Sequence, residues 1–420
     1  MAKIMLAAMP FTGHVTPLLA VAQGLVARGH DVRFYTGGAF RTRVEATGAR
    51  FVGWRAAPDF DEGDLAATFP RLVGKRGLGQ VFINIQDCMI GTAPAQVDDL
   101  AAAWEDEPWD VIAGDELSIG TAFFAERSGC PWATVAVLPL HLPGPQGPPG
   151  GMGLAPGRNP VTRARDAMLR AAMPLLSRPL MKPLVRARES AGLPSATRSF
   201  DAAILSPQLV VASGAPLLDF ARSDRPAHLQ FVGELHARIT AEDDLPPWWD
   251  DLDDRTVVHV TQGTLNTTPS DLIRPALEAL AHRDLLVVVS TGARGRDELP
   301  FPVPANARVA GFLPYAALLP RVDLMISNGG WGGTLAALAH SIPLVIAGGD
   351  LDKPEIAARV AWAGAGVNLR TGTPTVAKIA AGFDRVTDGA GYRESAARVG
   401  AQLRSLGGAT RAAELVETLL

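Results

Sequence analysis

The chain has 420 residues, 47% of them hydrophobic and 20% charged, with a formal net charge of -4 at pH 7. That length exceeds what one hydrophobic core usually organises, so two domains of about 150–250 residues are expected. The apolar content excludes disorder and the slightly acidic balance excludes a basic nucleic-acid surface, which leaves a small molecule as the expected partner.

In chain order, "KIMLAAMP" from Lys3 is an apolar run cut by Pro10, Gly13 and His14, which reads as a buried first strand and not as a secretory leader. "TPLLAVAQGLVARG" then places Leu18, Leu19, Ala22, Leu25 and Val26 on one helical face, with Thr16 as cap, Pro17 in the first turn and Gly29 as stop. "DVRFYT" alternates as a strand, and a strand–helix–strand unit requires parallel strands. "FVGW", "WDVIAGD" with the helix "SIGTAFFAERSG", and "WATVAV" extend an open sheet covered by helices. Cys88 and Cys130 lie in apolar surroundings without zinc or redox spacing, so they read as buried free thiols in a reducing cytoplasm. The stretch from Leu138 to Pro160 holds too many prolines and glycines for regular structure, and long irregular segments in compact domains are usually functional or mobile.

The acidic, proline-rich "LPPWWDDLDD" reads as part of a linker. This gives a first domain over 1–241, a linker over 242–254 and a second domain over 255–420, whose last helix can pack back on the first. From Val257 the grammar restarts with "VVHVT", a helix from Pro269 to His282, "LLVVVST", "RVAGF", "DLMIS", a helix after Trp331, "PLVIAG", a helix from Pro354 and "GVNL". The expected fold class is α/β, with two Rossmann-like doubly wound parallel sheets facing across a cleft. No stretch reaches the roughly 18 uninterrupted apolar residues of a membrane span.

Gly329, Gly330, Gly332 and Gly333 follow a strand and open a helix, where unpaired amides and the helix dipole favour an anion; the plainer reading is a tight turn with close helix packing. The stretch matches neither the dinucleotide fingerprint nor the P-loop. Gly263 and Thr264 occupy the corresponding place after "VVHVT". In the first half, His14 follows Gly13 at the end of the first strand, where a histidine can serve as a base near neutral pH. Asp115 ends "WDVIAGD" at the same sheet edge, and a carboxylate on one ring nitrogen fixes the tautomer and stabilises the imidazolium. No GxSxG elbow occurs, which argues against a serine hydrolase. The Asp59–Asp61 and Asp350–Asp352 triplets suggest a metal–diphosphate site, but such triplets arise easily among so many aspartates, and no metal is expected.

These residues resemble the inverting, nucleotide-sugar-dependent glycosyltransferases of the GT-B architecture, above all the bacterial enzymes that decorate macrolides and other natural products, and their plant and animal relatives. The likeness is strongest from Phe312 to Gly366. It implies that His14 deprotonates the acceptor with Asp115 as partner. Phe312, beside Leu313, would stack on the donor base, with Tyr315 where the family carries glutamine. Asn328, Gly329 and Gly330 stand in place of the His-Gly-Gly that holds the diphosphate, and a neutral amide donates there without charge. The family's hydroxyl residue falls on Gly333 with Thr334 adjacent, its ribose glutamate on Ala336, and its sugar-binding acid–glutamine pair on Asp352 and Lys353. The resemblance implies a UDP- or dTDP-sugar as co-substrate and no other cofactor; a cytoplasmic monomer or homodimer is expected. The implied acceptor is a hydrophobic small molecule, for which Phe82, Met89, Trp132, Leu140, Leu142 and Met152 form a candidate apolar set. An epimerase or hydrolase of the same fold, and a non-catalytic accessory protein, remain as alternatives.

Overall fold

The computed structural model describes residues 1–75, 77–140, 142, 144–195, 199–236, 245–263, 268–292 and 295–420. Short runs rich in Val, Ile and Ala form its strands, and their inner residues are buried on both faces, as in a parallel sheet covered on both sides. The first sheet holds β1 (Lys3–Ala7), β2 (Asp31–Thr36), β3 (Arg50–Gly53), β4 (Val111–Asp115), β5 (Trp132–Ala136), β6 (Leu209–Ser213) and β7 (Leu229–Gly233). All pair in parallel, in the order β3-β2-β1-β4-β5-β6-β7. The second holds β8 (Val257–Thr261), β9 (Leu286–Ser290), β10 (Ala307–Ala310), β11 (Leu324–Ser327), β12 (Leu344–Ile346) and β13 (Gly366–Asn368), parallel in the order β10-β9-β8-β11-β12-β13. The α/β class and the doubly wound parallel sheets are therefore as expected; β6 and β7 extend the first sheet beyond the strands anticipated.

The period of two in each strand splits the packing into layers. Ile4 and Leu6 of β1 face a core with Leu18, Val21 and Leu25 of the helix Thr12–Ala27, whereas Met5 and Ala7 face another with Ile112 and Phe123. The last helix, Gly408–Glu417, joins the first of these cores through Ala412, Ala413 and Val416. It lies close to Thr12–Ala27 because Gly24 has no side chain; a Cβ there would stand 3.1 Å from the carbonyl oxygen of Ala409. Among the described residues no helix is long and apolar enough to cross a membrane.

Some local expectations are corrected. The first helix begins at Thr12, not Thr16, so His14 lies in its first turn and Pro17 lies inside it. Glu62 accepts from the Thr12 N–H at 2.8 Å and from its hydroxyl, so a carboxylate distant in sequence serves the helix start. The helix expected from Pro269 to His282 is confined to Ile273–Leu280. In the stretch read as linker, Trp249 and Leu252 are buried in the core of the second sheet; the boundary at 241/242 lies outside the described residues. Cys88 and Cys130 are free and buried, and burial pushes their thiols up to about 12 and about 11.

Candidate active site

In both sheets the first strand of the unit lies between the second and the fourth, so successive connections leave in opposite directions and open a crevice at the carboxyl ends. In the first sheet this places the β1 exit beside the end of β4. His14 Nδ1 meets Asp115 Oδ1 at 3.0 Å, with both side chains buried. The same Asp115 oxygen accepts from the N–H of Leu117 at 2.7 Å and Ser118 at 3.2 Å, and Oδ2 accepts from the Met9 N–H at 2.6 Å. Three backbone donors thus fix the carboxylate in place. Since a carboxylate only accepts, the His14 ring donates from Nδ1, and in the neutral ring Nε2 carries the lone pair. Burial opposes charge on the imidazole, but the Asp115 carboxylate with its hydrogen bond, and then Glu116 and Asp352, outweigh burial and raise its pKa to about 9.

Glu116 was not singled out in the sequence, although a second acid directly after Asp115 is visible there. It is buried; Oε2 accepts from the Val137 N–H at 2.9 Å and Oε1 from the Leu138 N–H at 2.8 Å. Burial raises its pKa to about 7 against the opposing charge of His14. His14, Asp115 and Glu116 each have one atom within 4.8 Å of the others, a metal-like spacing among the described residues. Every carboxylate oxygen in the group already faces a backbone N–H. In the Asp59–Asp61 triplet the carboxylates accept from backbone: Asp59 from the N–H of Gly38, across to the segment after β2, and Asp61 from that of Gly63 in its own turn.

The second sheet repeats the geometry where β8 and β11 end. Asn328 Nδ2 donates to the Gln262 carbonyl, and a Cβ on Gly263 would lie 3.6 Å from the Asn328 amide. One amide donor expected for phosphate is therefore engaged with backbone; Thr264 lies outside the described residues. Gly329 adopts φ +85°, and Gly330 caps the helix Trp331–Ala339 without a side-chain bond. The first bond of that helix runs from Thr334 N to Gly330 O, so the N–H groups of Trp331, Gly332 and Gly333 precede it. A Cβ on Gly332 would meet nothing within 4 Å, and a Cβ on Gly330 only Asn328 at 4.0 Å. Packing among the described residues does not explain those two glycines, whereas a ligand resting on the amides would.

Thr334 is fully buried and its hydroxyl has no partner among the described residues. Tyr315 lies beside Gly333 and meets His259 edge-on, with 3.4 Å between the Tyr315 hydroxyl and His259 Nε2. Burial lowers the His259 pKa to about 4, so it stays neutral. Phe312 is 49% exposed in the segment after β10, while Leu313 is 1% exposed in the core and offers only its backbone. Ala336 is buried on the helix after the glycines.

Asp352 stands at the start of the helix Lys353–Trp362, and its carboxylate makes no cap bond. Burial raises its pKa, and it faces His14 closely enough for each charge to favour the other. Lys353 differs from the expected sugar contact: it is buried and its ammonium holds Asp350 at 2.7 Å. Gly13 sits in the first turn of the first helix with open space around it.

The apolar set expected for the acceptor is not gathered in one place. Met89 is buried in the core behind β1 and β4, with Phe82 packed against it. Trp132 opens β5 and so lies at the amino edge of the sheet, opposite the His14–Asp115 edge. Leu140 and Leu142 pack over β5, β6 and β7. Met152 precedes Gly153, whose N–H reaches Glu355 of the second half at 3.1 Å.

Residues 274–419 match the family described as Erythromycin biosynthesis protein CIII-like, C-terminal domain. The chain is 39% identical to 4'-demethylrebeccamycin synthase of Lentzea aerocolonigenes, with 100% of each covered. It is 32% identical to UDP-glycosyltransferase 2 of Phaeomoniella chlamydospora, over 94% of this chain and 90% of that one. The solved structure of the kitacinnamycin glycotransferase has the same fold, with a TM-score of 0.77 at 22% identity, covering 100% of this chain and 99% of that one. Similarity that runs from end to end, over two facing doubly wound sheets, places this chain in the family of GT-B glycosyltransferases of natural-product biosynthesis.

Proposed function

We propose that the protein transfers a sugar, with inversion, from a UDP- or dTDP-sugar to a hydroxyl or amine of a hydrophobic small molecule. The observation that carries this reading is the buried His14–Asp115 pair, with Asp352 of the other half facing it. His14 Nε2 takes the acceptor proton as the acceptor atom bonds to the anomeric carbon. The bond from that carbon to the diphosphate breaks, and Asp115 stabilises the imidazolium. The leaving charge meets the first-turn amides of the helix Trp331–Ala339, the remaining donor of Asn328 and the helix dipole. Phe312 is the candidate platform for the nucleobase and Asp352 the acceptor of sugar hydroxyls.

The test is a panel of UDP- and dTDP-sugars against polyketide, flavonoid and phenolic acceptors, read by mass spectrometry, with the anomeric configuration of the product read by NMR. His14→Ala is expected to lower transfer by about 100-fold or more with donor affinity unchanged, the usual scale of general-base catalysis. Wild-type turnover in that variant would remove His14 as base, and hydrolysis of donor without any acceptor product would replace the transferase reading by a hydrolase. Because backbone amides serve the diphosphate, transfer should persist in EDTA; loss in EDTA with recovery on magnesium or manganese would show instead that a divalent ion takes part.

A further inference from the structure

The carboxylate of Glu116 takes no part in the proton transfer just described, yet it is buried beside it. It follows Asp115 at the end of β4, is 6% exposed, and faces two structures at once. On one side its oxygens accept from the N–H groups of Val137 and Leu138, the residues by which the chain leaves β5 and enters the glycine- and proline-rich stretch. On the other side an oxygen lies within 4.8 Å of an atom of His14 and of Asp115. The stretch it tethers reaches the second half: Leu140 O accepts from Arg359 Nη2 at 2.8 Å and Gly153 N–H donates to Glu355 at 3.1 Å, both on the helix that Asp352 begins. A neutral side chain could make one of the two backbone bonds. A buried carboxylate is the group that serves both N–H donors and also places negative charge beside the ring.

We propose that Glu116 is a positioning residue for transfer: it fixes the β5 exit, and with it the start of the acceptor-side segment, against the His14–Asp115 pair, and it acts as a second counter-charge on the His14 ring. This rests on the reading of His14 as base. The groups facing the ring are Asp115 and Glu116 at the end of β4 and Asp352 from the second half; those facing Glu116 are His14 and Asp115. The tether makes acceptor binding depend on the length of the Glu116 side chain, and the counter-charge makes the protonation of His14 depend on its ionisation.

Two variants separate these effects. Glu116→Gln keeps the length and removes the charge together with one of the two backbone bonds, so the charge is read from the His14 titration alone, while Glu116→Asp keeps the charge and shortens the tether. The His14 imidazole is followed by NMR in histidine-labelled protein, its signal assigned by its absence from His14→Ala, alongside pH profiles of kcat/KM and separate KM values for donor and acceptor. For Glu116→Gln the His14 titration is expected to fall by about one pH unit, the scale of losing one nearby opposite charge. The ascending limb of kcat/KM should move down with it. For Glu116→Asp the titration should stay near that of the wild type while acceptor KM rises severalfold and donor KM does not. An unmoved His14 titration in Glu116→Gln overturns the counter-charge, and an unchanged acceptor KM in Glu116→Asp, or equal rises for donor and acceptor, overturns the tether. If Glu116→Gln does not fold, Glu116→Ser is titrated in its place and read by the same criterion. If the titration moves and the kinetic limb does not, the base assignment of His14 fails and the contact with Glu116 stands.

Discussion

At neutral pH the free protein holds His14 protonated, because the charges of Asp115, Glu116 and Asp352 outweigh burial and raise its pKa to about 9. A base must be neutral to take a proton, so kcat/KM on a hydroxyl acceptor is expected to rise with pH up to about 9 and to level off above it. A profile that peaks below neutrality and then falls would contradict this assignment. Asp115→Asn should lower both the rate and the pH of the limb. The linkage has the same sign: the folded state binds this proton more tightly than the unfolded chain. The stability it contributes is therefore fully present below about pH 6.5 and is lost as pH rises through about 9. Asp352 tests the sugar end. Its carboxylate makes no cap bond, so Asp352→Ala should spare thermal stability, where loss of a working cap would cost about 1 kcal/mol. It should weaken a hydroxyl-rich donor more than a deoxysugar donor, by about 1.5–3 kcal/mol if the charged hydrogen bonds are buried. Equal losses across donors would remove Asp352 from the sugar site.

The helix Trp331–Ala339 shows how one element divides its glycines between folding and binding. Gly329 has φ +85° and a Cβ there would lie 2.6 Å from Ile346 Cγ2, so Gly329→Ala should destabilise the fold by about 1–3 kcal/mol. Gly332 has open space where its side chain would be, so Gly332→Ala should hold or raise thermal stability, since alanine favours a helix by about 1 kcal/mol. The added methyl would occupy the approach to the amides, and donor KM should rise. Thermal unfolding and donor KM on the two variants separate the roles; an unaltered donor KM in Gly332→Ala would detach the helix start from the diphosphate. Trp331 is the anchor between these glycines: its indole N–H donates to Ser213 Oγ at 2.9 Å, at the end of β6 in the first half.

Across the whole molecule, Arg359 joins the halves. It is 5% exposed and reaches Asp219 at 2.5 Å, Glu355 at 3.2 Å and the Leu140 carbonyl at 2.8 Å. Its removal would leave the buried Glu355 carboxylate without its counter-charge, a loss of the order of 3–5 kcal/mol in comparable buried pairs, while Asp219 keeps Arg225 at 3.3 Å. Arg359→Ala should lower the melting temperature and reduce transfer together, because the stretch that leaves β5 and the Asp352 helix share this contact. Wild-type melting in that variant would show that the halves are held by their apolar contacts instead.

The alternation of short apolar runs with helical periodicities was sufficient to read doubly wound parallel sheets, because strand and helix periods are local preferences written along the chain. The same grammar placed His14 just after β1 and Asp115 at the end of β4, and because an open parallel sheet sets these two strands side by side, the His14 ring and the Asp115 carboxylate meet at 3.0 Å. The dual reading of the glycine cluster was also legible, though not its division between Gly329 and Gly332. Other features depended on partners far along the chain. Glu62 starts the first helix early, Glu116 reaches the β5 exit and Asn328 closes on Gln262. Trp132, apolar and shortly before the proline- and glycine-rich stretch in sequence, proves to stand at the far edge of its sheet. A sequence states which residues prefer to be buried and with what period; strand order and the direction in which each strand runs decide which buried groups meet, and only the assembled sheets supply those.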